Sequence, residues 1–265
     1  MMADLVDDRS LRRDRFFHLA EPPQGARARL VESDARHAVR VLRLQPGDEL
    51  SGGDGMGRAW PLRVAAAGRA GLELEVAGTP WNVPAPGEPG SRAPRIELAF
   101  ALPRGGRSEA ALERLTQLGV WGVRPLASER VQGHRREVGL ARAERCQRVL
   151  REACKQCRRL WTPQFGAPLA PADLRARAGT EDVLVLDPDG TVELLDWARG
   201  HPGAGSAARP LTVVVGPEGG LSAEESAQLA AAGAVAVRVG PHVLRIETAA
   251  EAALALLVAA LGPGF

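Results

Sequence analysis

Apolar and polar positions follow two different patterns along this chain. Up to about residue 80, apolar residues come in short runs, Arg27 to Val31, Asp48 to Ser51, Arg58 to Val64 and Leu72 to Val76. Punctuation such as Gln45-Pro46-Gly47-Asp48 and Gly52-Gly53-Asp54-Gly55 separates them. Short strands at this spacing predict a small barrel over residues 1–80. One helical patch interrupts them, with Ser33 placed as its cap and Ala35, Ala38, Val39 and Leu42 on one face. Residues 79–94 hold five prolines and two glycines with almost no apolar period, which predicts a linker.

From residue 95 to 265 strands alternate with helices, the pattern of an α/β domain built on a parallel sheet. Strands are predicted at Ile96 to Leu102, Val120 to Leu126, Asp182 to Leu186, Leu211 to Val215 and Ala234 to Val239. Helices are predicted at about Ser108 to Leu118, Leu140 to Arg159, Val192 to Ala198, after Ser222, and Glu247 to Leu261. Ser222 with Glu225 three residues on forms a capping box. The closing helix is apolar on nearly every side, so it is expected to be buried on most of them. Its remaining face, at Leu256 or Leu257, is expected to meet a second copy of the chain.

Charge changes this picture by its distribution. Residues 1–80 carry twelve Arg against twelve acids, while residues 103–160 carry fourteen basic residues against six acids and residues 161–265 carry six against twelve. The basic middle stretch is a candidate polyanion surface, because guanidinium forks pair with phosphate oxygens. A solvated helix face, neutralised by the acidic remainder, accounts for the same charges. No apolar run approaches the roughly 18 to 20 residues of a membrane span, the longest being Ala252 to Leu261. Met1 to Arg15 mixes four Asp with four Arg and lacks the apolar core of a secretory signal, and three cysteines build no disulfide framework. A cytoplasmic protein is expected. Cys154-Lys155-Gln156-Cys157 has no second CxxC or His pair to complete a zinc site and falls inside a predicted helix, so no metal is expected.

Candidate chemistry lies at three strand ends. Gly216-Pro217-Glu218-Gly219-Gly220 joins an apolar strand to a capped helix, Asp187-Pro188-Asp189-Gly190 ends a second strand, and Gly240-Pro241-His242-Val243-Leu244-Arg245 ends a third. In open α/β sheets ligands bind beyond the carboxyl ends of strands, and glycines let a ligand approach the backbone. The Gly-rich stretch matches neither GxGxxG nor the GxxxxGK[ST] loop, which disfavours a dinucleotide or nucleoside triphosphate.

At Val215-Gly216-Pro217-Glu218-Gly219-Gly220-Leu221-Ser222 with Glu225, and at Val239 to Ala249, the sequence resembles the SPOUT class of S-adenosylmethionine methyltransferases. Within that class it is similar to the family that methylates N3 of uracil 1498 in 16S rRNA. Ala101-Leu102-Pro103-Arg104, Thr116 to Val120, Ser128-Glu129-Arg130 and Glu152 to Arg159 support the likeness. Arg15-Phe16-Phe17, His37, Val41-Leu42-Arg43 and Pro46-Gly47-Asp48 resemble that family's PUA-like RNA-binding barrel. The family usually has Lys at Arg104, Glu at Gln117 and Thr at Ile246.

The resemblance implies a C-terminal parallel sheet with a deep trefoil knot behind a PUA-like barrel, and a homodimer. S-adenosyl-L-methionine is implied as cofactor, and 16S rRNA or the small ribosomal subunit as partner. The cofactor is expected at Leu186, Asp187, Gly216, Pro217, Glu218, Gly219, Gly220, Val239, Gly240, Val243 and Leu244. Uridine N3 must lose a proton before it attacks a methyl group, so a base and a cation are needed. Arg245 and then Arg15 are the candidate cations; Glu218 and Glu247 are candidate bases or orienting groups. RNA contacts are expected from Arg15, Arg43, Arg104, Arg130, Arg135, Arg136 and Arg158. Two alternatives stay open: the same chemistry on a tRNA or another rRNA base, or a ribosome-associated RNA-binding protein that catalyses nothing.

Overall fold

In the computed structural model, which describes residues 15–68, 71–103, 106–131 and 138–262, the chain forms two units. One comprises residues 1–85 with 154–162, the other residues 86–153 with 163–265.

In the first unit the strands are β1 (Phe16–His18), β2 (Arg27–Ala28), β3 (Glu49–Gly53), β4 (Arg58–Gly68), β5 (Gly71–Val76) and β6 (Trp81–Asn82), with one helix, α1 (Glu32–Arg40). The hydrogen-bonded order is β1-β3-β4-β5-β2, with β6 on β4. A bridge between Leu19 and Leu30, just beyond β1 and β2, returns the path to its start and makes a closed barrel. Side chains alternate along β4, where Trp60, Leu62 and Val64 enter the core while Arg63 faces Glu49 outside. Residues 154–162 complete this unit: Leu160 packs with Phe16 and Ala59, and Trp161 Nε1 donates to the Val83 carbonyl at 2.9 Å.

The α1 helix departs from expectation at both ends. It starts at Glu32 on an N-cap, Val31, that has no side-chain acceptor, so Ser33 lies inside the first turn. Asp34 turns inward instead, accepting from the His18 backbone N–H at 2.7 Å. The helix stops at Arg40, which leaves Leu42 partly exposed and gives its core place to Leu44.

The second unit holds β7 (Ile96–Phe100), β8 (Gly122–Pro125), β9 (Gln164–Phe165), β10 (Asp182–Leu186), β11 (Val192–Glu193), β12 (Leu211–Val215) and β13 (Val235–Arg238). Its helices are α2 (Arg107–Gln117), α3 (Leu140–Cys157), α4 (Pro171–Ala178), α5 (Leu194–Gly200), α6 (Ala223–Ala231) and α7 (Ile246–Leu261). All seven strands are parallel, in the order β11-β13-β10-β12-β7-β8-β9. Helices cover both faces, so the central strand β12 is buried at every residue. Each apolar side chain removed from water there contributes roughly 1.5–3 kcal/mol. The elements β9 and α4 show no periodic run, being two and eight residues long, and Val192–Glu193, expected as the start of a helix, instead form β11 beside β13, with α5 beginning at Leu194. The start of α4 does have a local signal, Pro171 at its first position and Asp173 accepting from the Ala170 N–H at 2.8 Å.

Helix α7 packs against α2 and α5. It buries one stripe, Ile246, Ala250, Ala253, Leu254 and Leu257, while Leu256 is half-buried and Ala259 and Ala260 are exposed. Its own chain covers most of its sides, Thr248, Ala259 and Ala260 being its exposed residues, and leaves a partly buried side at Leu256. Leu257 belongs to the internal core and not to a free face, because an apolar helix without a polar side carries no signal of which stripe turns inward.

Candidate functional site

Strands β12 and β13 flank β10, and Leu186 at the end of β10 pairs with Val215 on one side and Val237 on the other. Three parallel strands thus end at one level, and the loops that follow them open on the same edge. Between them lies a cavity of about 600 Å³, within the size range of small-molecule sites. Leu186, Asp187, Gly216, Pro217, Glu218, Gly220, Val239, Gly240, Val243 and Leu244 line it, together with Arg107, His242, Arg245, Ile246, Glu247 and Ser226. Gly219 is outside this lining; its carbonyl accepts from Arg130 Nη1, and a Cβ there would meet only Arg130 Cδ at 3.6 Å.

Two glycines shape the walls. Gly220 has φ +69 and donates to the Pro217 carbonyl at 2.8 Å, a turn that an L side chain would strain. Gly190, which the sequence showed only as a turn residue, lies where a Cβ would stand 3.0 Å from Val237 C and 3.1 Å from the Asp187 carbonyl. The turn after β10 therefore rests directly on β13. It is held there by Asp187 N–H to Val237 O at 3.0 Å, and Asp187 Oδ1 accepts from the Asp189 N–H at 2.9 Å.

The charges sort differently from their order in sequence. Glu247 pairs with Arg107 of α2 at 3.4 Å, a partner 140 residues away, and not with its neighbour Arg245. No spacing rule could have found Arg107. Arg245 is the exposed N-cap of α7, makes no ion pair among the described residues, and lines the cavity beside the positive end of that helix. Glu218 is exposed at the cavity rim. Ile246, where the family usually has Thr, is buried in the core and adds no hydroxyl to the site. Gln117 lies on the solvent side of α2, donating to Glu113 at 3.5 Å.

Of the other residues singled out from sequence, Arg15 belongs to the barrel unit and pairs with Asp48 at 3.0 Å. Arg43 is exposed, with φ 50. Arg158 follows the last residue of α3 in a left-handed conformation, φ 56, and is half-buried rather than displayed on a helix face. Arg104, Arg135 and Arg136 lie outside the described residues. Part of the α3 charge is neutralised locally, as by Arg145 with Glu109 at 2.7 Å. Burial pushes the Cys154 thiol up to about 12 and raises Cys146 and Cys157 as well. Among the described residues no group of three or more His, Cys, Asp or Glu is placed to hold a metal ion.

The cavity also presents backbone. Among the described residues, the backbone N–H groups of Gly240, His242, Val243 and Leu244 donate to no other backbone group, and on this largely exposed loop they are accessible to solvent or to a ligand.

Comparison with known proteins agrees with this arrangement. An RNA methyltransferase domain model matches residues 91–258, and an RNA methyltransferase PUA domain model matches residues 32–77. The ribosomal RNA small subunit methyltransferase E of Mycobacterium bovis is 37% identical over 248 residues, covering 90% of this chain and 88% of that protein. The protein of the same name from Synechocystis is 32% identical over 241 residues, 88% of this chain and 73% of its own length. Among solved structures, a ribosomal RNA small subunit methyltransferase E from Neisseria gonorrhoeae bound to S-adenosyl methionine superposes with a TM-score of 0.75 at 26% identity, over 91% of this chain and 95% of that one.

Proposed function

This chain belongs to the ribosomal RNA small subunit methyltransferase E family, and we propose that it methylates N3 of one uridine in 16S rRNA, at the 1498 position that the family resemblance implies, using S-adenosylmethionine. The observation that carries this reading is the cavity of about 600 Å³ where β10, β12 and β13 end. It fits the cofactor chemically: the accessible backbone N–H groups of Gly240, His242, Val243 and Leu244 suit the edge of an adenine, and Leu186, Val239 and Leu244 offer apolar surface to its ring. The cofactor, when bound, supplies a methyl group activated by a sulfonium.

The chain's own residues meet the other demands of the reaction. Arg245 and the N-terminus of α7 place positive charge where the deprotonated uridine would be stabilised. Glu218, at the rim, is the group we assign to take the N3 proton. Glu247, engaged by Arg107, is the orienting carboxylate. Because N3 is on the Watson–Crick edge, the uridine must be unpaired when it reacts. The barrel, with exposed Arg43 and with Arg15, is assigned to RNA binding.

We further propose a homodimer formed through the half-buried side of α7 near Leu256, and the knotted threading that the resemblance implies for the sheet. Among the described residues no helix is long and apolar enough to cross a membrane, and rRNA as substrate is consistent with a cytoplasmic site of action.

Mass spectrometry of 16S rRNA from a deletion strain tests the assignment. Loss of one N3-methyluridine, restored by the wild-type gene and not by Arg245→Ala, is the expected result. A missing modification in tRNA, or at another rRNA base, would move the activity to that substrate. Unchanged RNA together with no S-adenosylmethionine binding by calorimetry would leave a non-catalytic RNA-binding protein.

A further inference from the structure

The carboxylate of Glu225 accepts two backbone bonds from opposite directions. Its Oε2 takes the Ser222 N–H at 2.9 Å, which closes the capping box of α6, and its Oε1 takes the Glu129 N–H at 2.7 Å, 96 residues earlier in the chain. Beside it, Arg130 Nη1 donates to the Gly219 carbonyl. The segment that makes these contacts is itself anchored. Ala127 N–H donates to Leu169 O at 2.8 Å, Ser128 is fully buried, and the Val131 side chain sits in the main core.

The glycine loop is thus held from behind. Pro217 and Gly220 face the cavity, whereas Gly219 and Glu225 face residues 129–130, and neither Arg130 nor Glu225 lines the cavity. We infer that Glu225 and Arg130 are positioning residues that clamp the 216–222 loop into its cofactor-binding shape. This rests on the reading of the cavity as the S-adenosylmethionine site. It also moves Arg130 from a phosphate contact, as its place in the basic stretch suggested, to a loop contact. A loop ordered before binding has less freedom to lose on binding, so the clamp acts on affinity.

The chemistry makes the clamp testable by an isosteric change. Both partners of Glu225 are donors, and only a carboxylate offers an acceptor oxygen to each. Glutamine has one acceptor, and its NH₂ group would face an N–H. Calorimetry with S-adenosylmethionine on the full-length chain, with thermal melting as a check of folding, compares wild type with Glu225→Gln, Arg130→Met and Arg130→Lys. Glu225→Gln and Arg130→Met are expected to raise the Kd for the cofactor about tenfold, the size of one lost charge-assisted hydrogen bond. The KM for cofactor should rise while kcat at saturating cofactor and the salt dependence of 16S rRNA binding stay as in wild type. Arg130→Lys should recover part of the loss.

A folded Glu225→Gln protein with wild-type cofactor affinity overturns the inference. Should that variant fail to fold, Arg130→Met decides, because it leaves the capping box intact. If Arg130→Met flattens the RNA salt dependence and leaves cofactor affinity alone, Arg130 is a phosphate contact and the clamp is wrong. A wild-type chain that binds no S-adenosylmethionine would sink the cofactor reading and the clamp with it.

Discussion

The ammonium of Lys155 lies 2.6 Å from Oδ1 of Asp34, whose side chain is only 2% exposed. Lys155 is the one lysine in a chain with 34 basic residues. It sits in the last turn of α3, within the 154–162 stretch that completes the barrel unit. The pair spans 121 positions in sequence and joins that stretch to α1, while the other carboxylate oxygen holds the backbone of His18. Removing one member leaves the other charge buried, which typically costs about 3–5 kcal/mol. Lys155→Met should therefore lower the melting temperature sharply, and the double variant Lys155→Met with Asp34→Asn should be less destabilised than the sum of the two single losses. Additive losses in a double-mutant cycle by denaturant melts would show that the pair is not coupled.

The glycines divide by geometry. Gly190→Ala pushes a Cβ to 3.0 Å from the β13 backbone, and Gly220→Val places a branched residue at φ +69; each should cost about 1–3 kcal/mol and weaken cofactor binding. Gly219→Ala meets only Arg130 Cδ at 3.6 Å and should bind the cofactor as wild type does. Calorimetry on the three variants gives the ranking.

The Cys154 thiol, raised to about 12 by burial from an ordinary value of 9.0, binds its proton more tightly folded than unfolded. Its contribution to stability is fully present below about pH 9 and is lost as the pH climbs toward 12. Denaturant midpoints should fall over that range, less so in Cys154→Ala. In the native protein at pH 8 Cys154 should be silent to a thiol reagent, reacting only after unfolding; rapid native labelling at this position would contradict its burial.

Exposed Arg43 and half-buried Arg158 should behave differently toward RNA. Arg43→Ala is expected to flatten the dependence of log K on log salt by about one unit with cofactor affinity intact. Arg158→Ala should leave the slope alone and lower stability. Filter binding across a salt series separates the two; equal slopes for wild type and Arg43→Ala would remove Arg43 from the RNA contacts.

On α7, two neighbouring leucines now carry opposite expectations. Leu257 is fully buried in its own chain, so Leu257→Glu should abolish folding, whereas Leu256→Glu, on the half-buried side, should give folded monomers if the proposed dimer forms there. Analytical ultracentrifugation with circular dichroism reads both. A wild-type chain that sediments as a monomer at micromolar concentration would end the dimer proposal.

Much of this protein is decided within a few residues. The capping box at Ser222 and Glu225 forms as its spacing says, and the strands at 182–186 and 211–215 fall where apolar runs end at Pro, Gly or Asp, because caps and strands depend on near neighbours. The three loops at 187–190, 216–220 and 240–245 were legible for the same reason. What brought them to one cavity was strand order, which places β10 between β12 and β13 and is settled only by which faces can be buried together. The partner of Glu247 lies 140 residues away, that of Lys155 lies 121 away, and the second bond of Glu225 reaches back 96. No periodicity encodes such contacts. Nor could an apolar helix announce that Leu257 is fully buried while Leu256 is only partly so, since a helix without a polar face takes its orientation from what packs around it.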